Sequence, residues 1–392
     1  MKKLLAFVIG SSVLLTSTIA HAATVPERFY INGSGFGHGV GMSQMGAKGL
    51  ALEGKSASDI LNYYFPGTQV LPMNSQPDIA VNIAHSATYL VLSATKGTIW
   101  ITKGNGEQLT INPGSSLKFT PVKTVVSPTI STPKQTPVVI PAESLFTVRW
   151  SDDAVVTANN NGSTIKLKYG FVRVKNIAKK LEMNNVLKLS TSYIYGVSEM
   201  SSSWPTAALQ AQAIASRTYG LTRMTTLRKE CDCNLYATKY DQTFIGYSKE
   251  SEAKYGALWK AAVDATADQV VMYNGKPITV YFSSSSGGTT QKAADVWGTD
   301  FPYLTNVPDP YSLDVVLNPQ YAHWLRVVNQ ADMAKAFGLT DVVNVRIDSK
   351  TVTNSALFLI ATSSAGLTSK MNVSDFKTKL LIPASWFEIT NS

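Results

Sequence analysis

The sequence predicts an α+β fold, on three observations. Runs of β-branched residues separated by Gly and Asn turns fill residues 77–120, and strand-like stretches resume through about residue 195. An alanine-rich helical pattern follows from Pro205. Strands and helices mix without regular βαβ alternation, which argues against a doubly wound sheet, and no repeat of solenoid period is visible.

The chain opens with "MKKLLAFVIGSSVLLTSTIAHAA". Lys2 and Lys3 form a basic start, an apolar run follows, and Ala20-His21-Ala22 has the small-x-small form of a cleavage site. Residues 1–22 therefore read as a signal peptide, too short in its apolar part for a membrane span. No Cys near the cleavage site invites a lipid anchor, so the expectation is export, with the folded part cell-wall associated or secreted. The 35 Lys and Arg outnumber the 26 Asp and Glu for a net charge of +9. That balance suits an anionic surface such as a wall polymer or membrane. The basic residues are scattered and not interleaved with aromatics, so nothing points to nucleic acid.

"GSGFGHGVGMSQMG" (residues 33–46) places glycine at every second position, with His38 in the middle. As a strand it would have one face of bare backbone, against which another strand, a tight bend or a flat ligand must lie closely. The spacing fits neither G-x-G-x-x-G nor a phosphate-cradling P-loop. Residues 46–68 read as two short helical pieces ending at Pro66-Gly67, the second capped by Ser56 or Ser58. Residues 120–142, rich in Pro, Thr and Ser, read as an extended connection or exposed loop.

"SSWPTAALQAQAIASRTYGLTRM" places Pro205 at a first helical position after Ser candidates for the cap. Its small residues predict a thin helix wedged among neighbours, with Gln212, Ser216 and Tyr219 on one stripe. A strand then runs into the Ser/Gly loop 283–289, a Pro-rich loop follows, and the last stretch is β-like. Cys231 and Cys233, one residue apart, are too few for a disulfide framework; a bridge, free thiols or a zinc completed by distant ligands are the alternatives.

Several segments together resemble the SpoIID/LytB family, whose members act on bacterial peptidoglycan. They are "GFGHGVGMSQMGAKGLALEG", "YIYGVSEMSSSWPTAALQAQAIASRTYG", "DQTFIGY", "AVDATADQVVMYNGKPITVYFSSSSGGTTQKAADVWG" and "PYLTNVPDP". The resemblance implies a SpoIID-like catalytic domain with a β-rich inserted or accessory region. Its organisation would be a GHGVGMSQ segment over 23–70, the β-rich region over 71–185, and a core over 186–392 carrying the catalytic Glu. In the sporulation proteins the GHGVGMSQ segment closes the domain, whereas here it opens it. "LIPASWFEIT" resembles what normally precedes that segment. A circular permutation accounts for both, and requires Phe387 and Tyr30 to lie on neighbouring strands.

The activity implied is lytic transglycosylation, which cleaves the glycan at N-acetylmuramic acid and leaves a 1,6-anhydro end. Glu199, the Glu of "SEM", would be the acid. Because the sugar's own C6 hydroxyl attacks, no second carboxylate is needed. His38, Ser43 and Gln44 would bond sugar hydroxyls or acetamido groups. Arg217 would orient Glu199 or a muramic carboxylate, with a structural ion pair as the bland alternative. Gln212, Asp241, Gln242, Tyr281, Ser285 and Thr289 complete the expected cleft, and no cofactor or metal is implied. One tension is that Glu199 stands just before a helix start, where the dipole favours the carboxylate; burial beside Met200 and Trp204 must outweigh it. A Ser-His-Asp hydrolase has no G-x-S-x-G elbow to support it. The rivals are a non-catalytic amidase enhancer, with glycan and a cell-wall amidase as partners, and a wall-binding module seated in the β-rich region.

Overall fold

A computed structural model describes residues 24–73 and 77–390; the expected signal peptide lies outside the described residues. The architecture is mixed α+β and rich in strands.

Two antiparallel sheets form the β-rich part. One has seven strands in the spatial order Leu235–Tyr236, Asp78–Ala87, Lys180–Lys188, Phe171–Ile177, Leu145–Trp150, Ile99–Thr102, Gln108–Ile111; only its first pair is parallel. The other has six, with Leu90–Ser93 between Ser116–Val122 and Val156–Asn160. Alternate side chains such as Phe146, Val148 and Trp150 turn inward and meet Leu92, Leu117 and Phe119 in one apolar core. Residues 120–142 depart from the loop expectation. Val126, Pro128 and Ile130 alternate inward or part-way, and Val125–Ser131 pairs with both Ser116–Val122 and Val138–Val139. Pro128 lacks an amide hydrogen but still serves the sheet, because its carbonyl accepts from Ile140.

Helices pack beside this part. α1 (Gln44–Leu52) and α2 (Ala57–Tyr64) follow the glycine segment, and α2 starts with a reciprocal cap between Ser56 and Asp59. α3 (Thr206–Thr222) buries twelve of its seventeen residues, as its small side chains predict. Its cap residue is Pro205 itself, without a side-chain bond, while Ser201 and Ser203 pair in the preceding turn.

A third part unites the two ends of the described chain. The strand Arg28–Ser34 lies between Trp324–Asn329 and Trp386–Thr390, with Gly33 opposite Phe387 and Tyr30 opposite Thr390. This is the juxtaposition expected for Tyr30 and Phe387. Behind it a second three-stranded sheet and the helices Gln330–Phe337 and Val373–Leu380 enclose Phe29, Ile31, Phe337 and Phe376.

Candidate functional site

The glycine segment is not a continued strand. Gly35, Gly37, Gly39 and Gly41 all have positive φ, so the backbone turns at every second residue. What lies against the bare backbone is the loop 281–291. A Cβ on Gly35 would stand 2.8 Å from the Gly287 nitrogen, and one on Gly41 would stand 2.2 Å from the Tyr281 oxygen. The Phe36 amide donates to Ser285 O and the Met42 amide to Tyr281 O, which fixes the two segments together. Of the options the spacing allowed, tight bends and a neighbouring backbone are those realised.

Between this double wall, the Glu199 segment and the last turn of α3 opens a cleft of about 720 Å³. Five of the nominated side chains meet there: His38, Gln44, Glu199, Asp241 and Tyr281. Glu199 is half-buried, and its Oε1 accepts from the Thr243 amide. Burial raises its pKa above the usual carboxylate value, against the opposing Thr243 hydrogen bonds, and no cation is among the causes. The helix-dipole tension disappears, because α3 begins at Thr206, seven residues further on. Gln44 holds the Glu199 segment: its Nε2 donates to Glu199 O at 3.0 Å and to Gln212 Oε1 at 3.1 Å.

His38 packs edge-on against Trp297 and Tyr281 with ring centroids 5.1 and 6.0 Å away, and its Nδ1 accepts from the Val40 amide. Enclosure, then the nearby Lys377 charge, lowers its pKa to about 4, a hydrogen bond to the Phe282 backbone working the other way. Lys377 donates to Gly37 O at 2.9 Å from the C-terminal helix, and burial brings it down to about 8. The folded His38 releases its proton more readily than the unfolded one, whose reference is 6.5. Between about pH 4 and 6.5 the unfolded chain binds more protons, so stability is lost as pH falls through that window. The expected cost is of order 3 kcal/mol. Denaturant midpoints measured from pH 7 to pH 4 should fall steeply in the wild type and more shallowly in His38→Gln.

Asp241 lines the cleft, but its lone pairs are taken. Arg228 grips both oxygens at 2.8 Å, the Tyr219 hydroxyl donates to Oδ1, and the Tyr236 amide donates to Oδ2. Cleft residues not nominated from the sequence include Phe36, Arg223, Lys239, Tyr240 and Trp297, and Tyr219, which the sequence places only on the α3 stripe. Thr243 stands inside the quoted "DQTFIGY", and Lys239 and Tyr240 directly precede it, which was the available signal.

The remaining nominated residues lie behind the cleft. Ser43 caps α1 by accepting from the Gly46 amide. Gln212 donates to Ser216, and Gln242 donates to the Tyr193 hydroxyl and Ser216 O. Ser285 is buried in the backbone pairing with Phe36, and Thr289 bridges to Pro308. Arg217 is fully buried and does not line the cleft; three of its five N–H groups donate to the carbonyls of Ser190, Gln269 and Val263, none to Glu199. Burial lowers its pKa to about 10, still protonated at neutral pH. Arg217→Met should strand three carbonyls and cost about 3 kcal/mol or more. Urea denaturation would register this as a lower midpoint, with ligand binding by the folded fraction unchanged.

Cys231 and Cys233 are joined as a disulfide and are buried. Among the described residues no cluster of three His, Cys, Asp or Glu could hold a metal ion, and no helix is long and apolar enough to cross a membrane.

Residues 178–273, which include Glu199, α3 and Asp241, match the family described as stage II sporulation protein, SpoIID. The chain carries a domain of the SpoIID family. It is 34% identical over 142 residues to the amidase enhancer of Bacillus subtilis, covering 36% of this chain and 17% of that one. It is 31% identical over 131 residues to stage II sporulation protein D of the same organism, covering 30% and 38%. An uncharacterized protein of Brachyspira hyodysenteriae is 36% identical over 119 residues, covering 29% and 30%. The chain thus spans less than two fifths of the length of these relatives, and no solved structure matches it. The SpoIID match supplies Glu199 and Asp241, while His38 and Tyr281 reach the same cleft from outside residues 178–273.

Proposed function

We propose that this chain is an exported lytic transglycosylase acting on peptidoglycan glycan strands, with Glu199 as its acid. The observation that carries the reading is a half-buried carboxyl with a raised pKa in a cleft wide enough for sugar rings. Glu199 protonates the glycosidic oxygen as the bond from C1 breaks. The C6 hydroxyl of the same sugar closes onto C1, and its proton returns to Glu199, so that a new C1–O6 bond replaces the one broken. Asp241, with all its acceptor positions occupied, is not free to activate water, which suits a reaction whose nucleophile belongs to the substrate. Phe36, Tyr240 and Trp297 are exposed aromatic side chains at the cleft, a residue type suited to contact with sugars. A disulfide persists in oxidising compartments, which supports export. The pairing of Arg28–Ser34 with Trp386–Thr390 supports a permuted order of the SpoIID segments.

The likeness to an amidase enhancer favours a second reading, in which the cleft binds glycan without cutting it and a cell-wall amidase is the partner. Purified protein incubated with intact and amidase-stripped peptidoglycan decides between the two. Mass spectrometry should find 1,6-anhydromuramic ends. No such ends on either substrate, with glycan binding retained, would sink the catalytic reading.

A further inference from the structure

The ring pair His38 and Trp297 that closes one end of the Glu199 cleft is also the wall of a second cavity. This cavity, about 430 Å³, lies between the short helix Ala293–Trp297 and the C-terminal part, where Thr351, Ser355, Phe358 and the start of the helix Val373–Leu380 line it. The two spaces share His38 and Trp297, so they are consecutive compartments divided by a ridge of aromatic rings.

Most polar groups of the second compartment are committed. Asn372 and Asp375 bond each other across the helix cap, Lys377 is held by Gly37 O, and the Ser355 and Thr351 hydroxyls turn to Gln291 Oε1. Asp295 is not: its Oδ2 is enclosed and has no hydrogen-bond partner within the protein. An enclosed carboxylate oxygen without a donor is costly unless a ligand or water supplies one. Two partly exposed aromatic side chains line the same cavity, Trp297 at 44% exposure and Phe358 at 41%, the latter backed by Lys370. A strong acceptor and aromatic rings in one cavity match a sugar, which offers hydroxyl donors at its rim and C–H groups on its face.

We infer that this second compartment is a saccharide subsite in which Asp295, Trp297 and Phe358 hold the same glycan strand beyond the Glu199 cleft. The inference rests on the glycan-binding reading above, though not on turnover. Its consequence is length selectivity, because a strand crossing the ridge engages both compartments and a fragment filling the first engages one.

The test is calorimetric binding to Glu199→Gln protein, which removes turnover from the measurement. The probes are long amidase-stripped glycan strands, a tetrasaccharide of the same repeat, and free stem peptide. The preference for long strands should drop about tenfold in Asp295→Ala, as expected for loss of one charge-assisted hydrogen bond. Phe358→Ala, a change at an exposed ring that leaves the core untouched, should lower it in the same direction. An unchanged long-to-short ratio in both variants would overturn the subsite. So would binding of free stem peptide that disappears in Asp295→Ala, which would assign the compartment to peptide. Failure to find anhydro products from the wild type, with the ratio still collapsing in the variants, would remove the catalytic reading and leave the subsite standing.

Discussion

Glu199→Gln is expected to reduce the formation of 1,6-anhydro ends by roughly 10²–10⁴-fold, the usual contribution of a positioned acid. The geometry makes the comparison clean. The glutamine oxygen can still accept from the Thr243 amide, and Gln44 bonds the backbone of residue 199, not its side chain. Stability should not fall at neutral pH. A carboxyl whose folded pKa is raised contributes stability that is present at low pH and lost as pH rises through that pKa, so a neutral amide removes a burden. Wild-type turnover should decline in the same direction, as pH rises and the acid loses its proton. Product analysis by mass spectrometry across a pH series would measure both effects. A variant that cuts as fast as wild type would transfer the acid role away from Glu199.

Gly41→Ala should be among the most destabilising single-atom additions in the molecule, at roughly 2–5 kcal/mol. Its φ of +74° is left-handed, which costs an alanine about 1–2 kcal/mol, and the added carbon would sit 2.2 Å from the Tyr281 oxygen. Relieving that overlap moves backbone, at a further cost of about 1–3 kcal/mol. The shift would break the bond from the Met42 amide to Tyr281 O and displace the wall that carries His38. Gly54→Ala is the control, because Gly54 also has a positive φ, +84°, but nothing lies within 4 Å of the added carbon. Denaturant midpoints should place Gly54→Ala near the cost of backbone strain alone and Gly41→Ala well beyond it. Equal midpoints would show that the 281–291 loop yields freely.

The parts of this structure legible in the sequence are those set by local pattern. The small residues of α3 forecast its burial, and β-branched runs between Gly and Asn turns forecast the strands around residues 77–120. The glycine segment was half legible. Period two was real, but it marks repeated left-handed turns against a neighbouring loop, and glycine alone does not say whether a backbone is extended or turning. The stretch 120–142 was misread because its prolines outweighed the alternation of Val126, Pro128 and Ile130. In the cleft, Glu199 and its near neighbours were accessible through "SEM" and "DQTFIGY". Arg217 was not, since the three carbonyls that occupy it come from residues 190, 263 and 269, and only folding brings them together. Lys377 was invisible for the same reason.

The pairing of the first described strand with the last has a consequence for the order of assembly. Ser34 reaches Gly287 across 253 positions, and Lys377 reaches Gly37 across 340. Contacts of such separation close large loops and form late in folding. A nascent chain therefore has the His38 wall early, yet lacks the 281–291 loop against which it turns and the lysine that holds Gly37. The cleft comes into being only when nearly the whole polypeptide is present. A growing chain thus carries Glu199 and its neighbours well before the walls that enclose them can close.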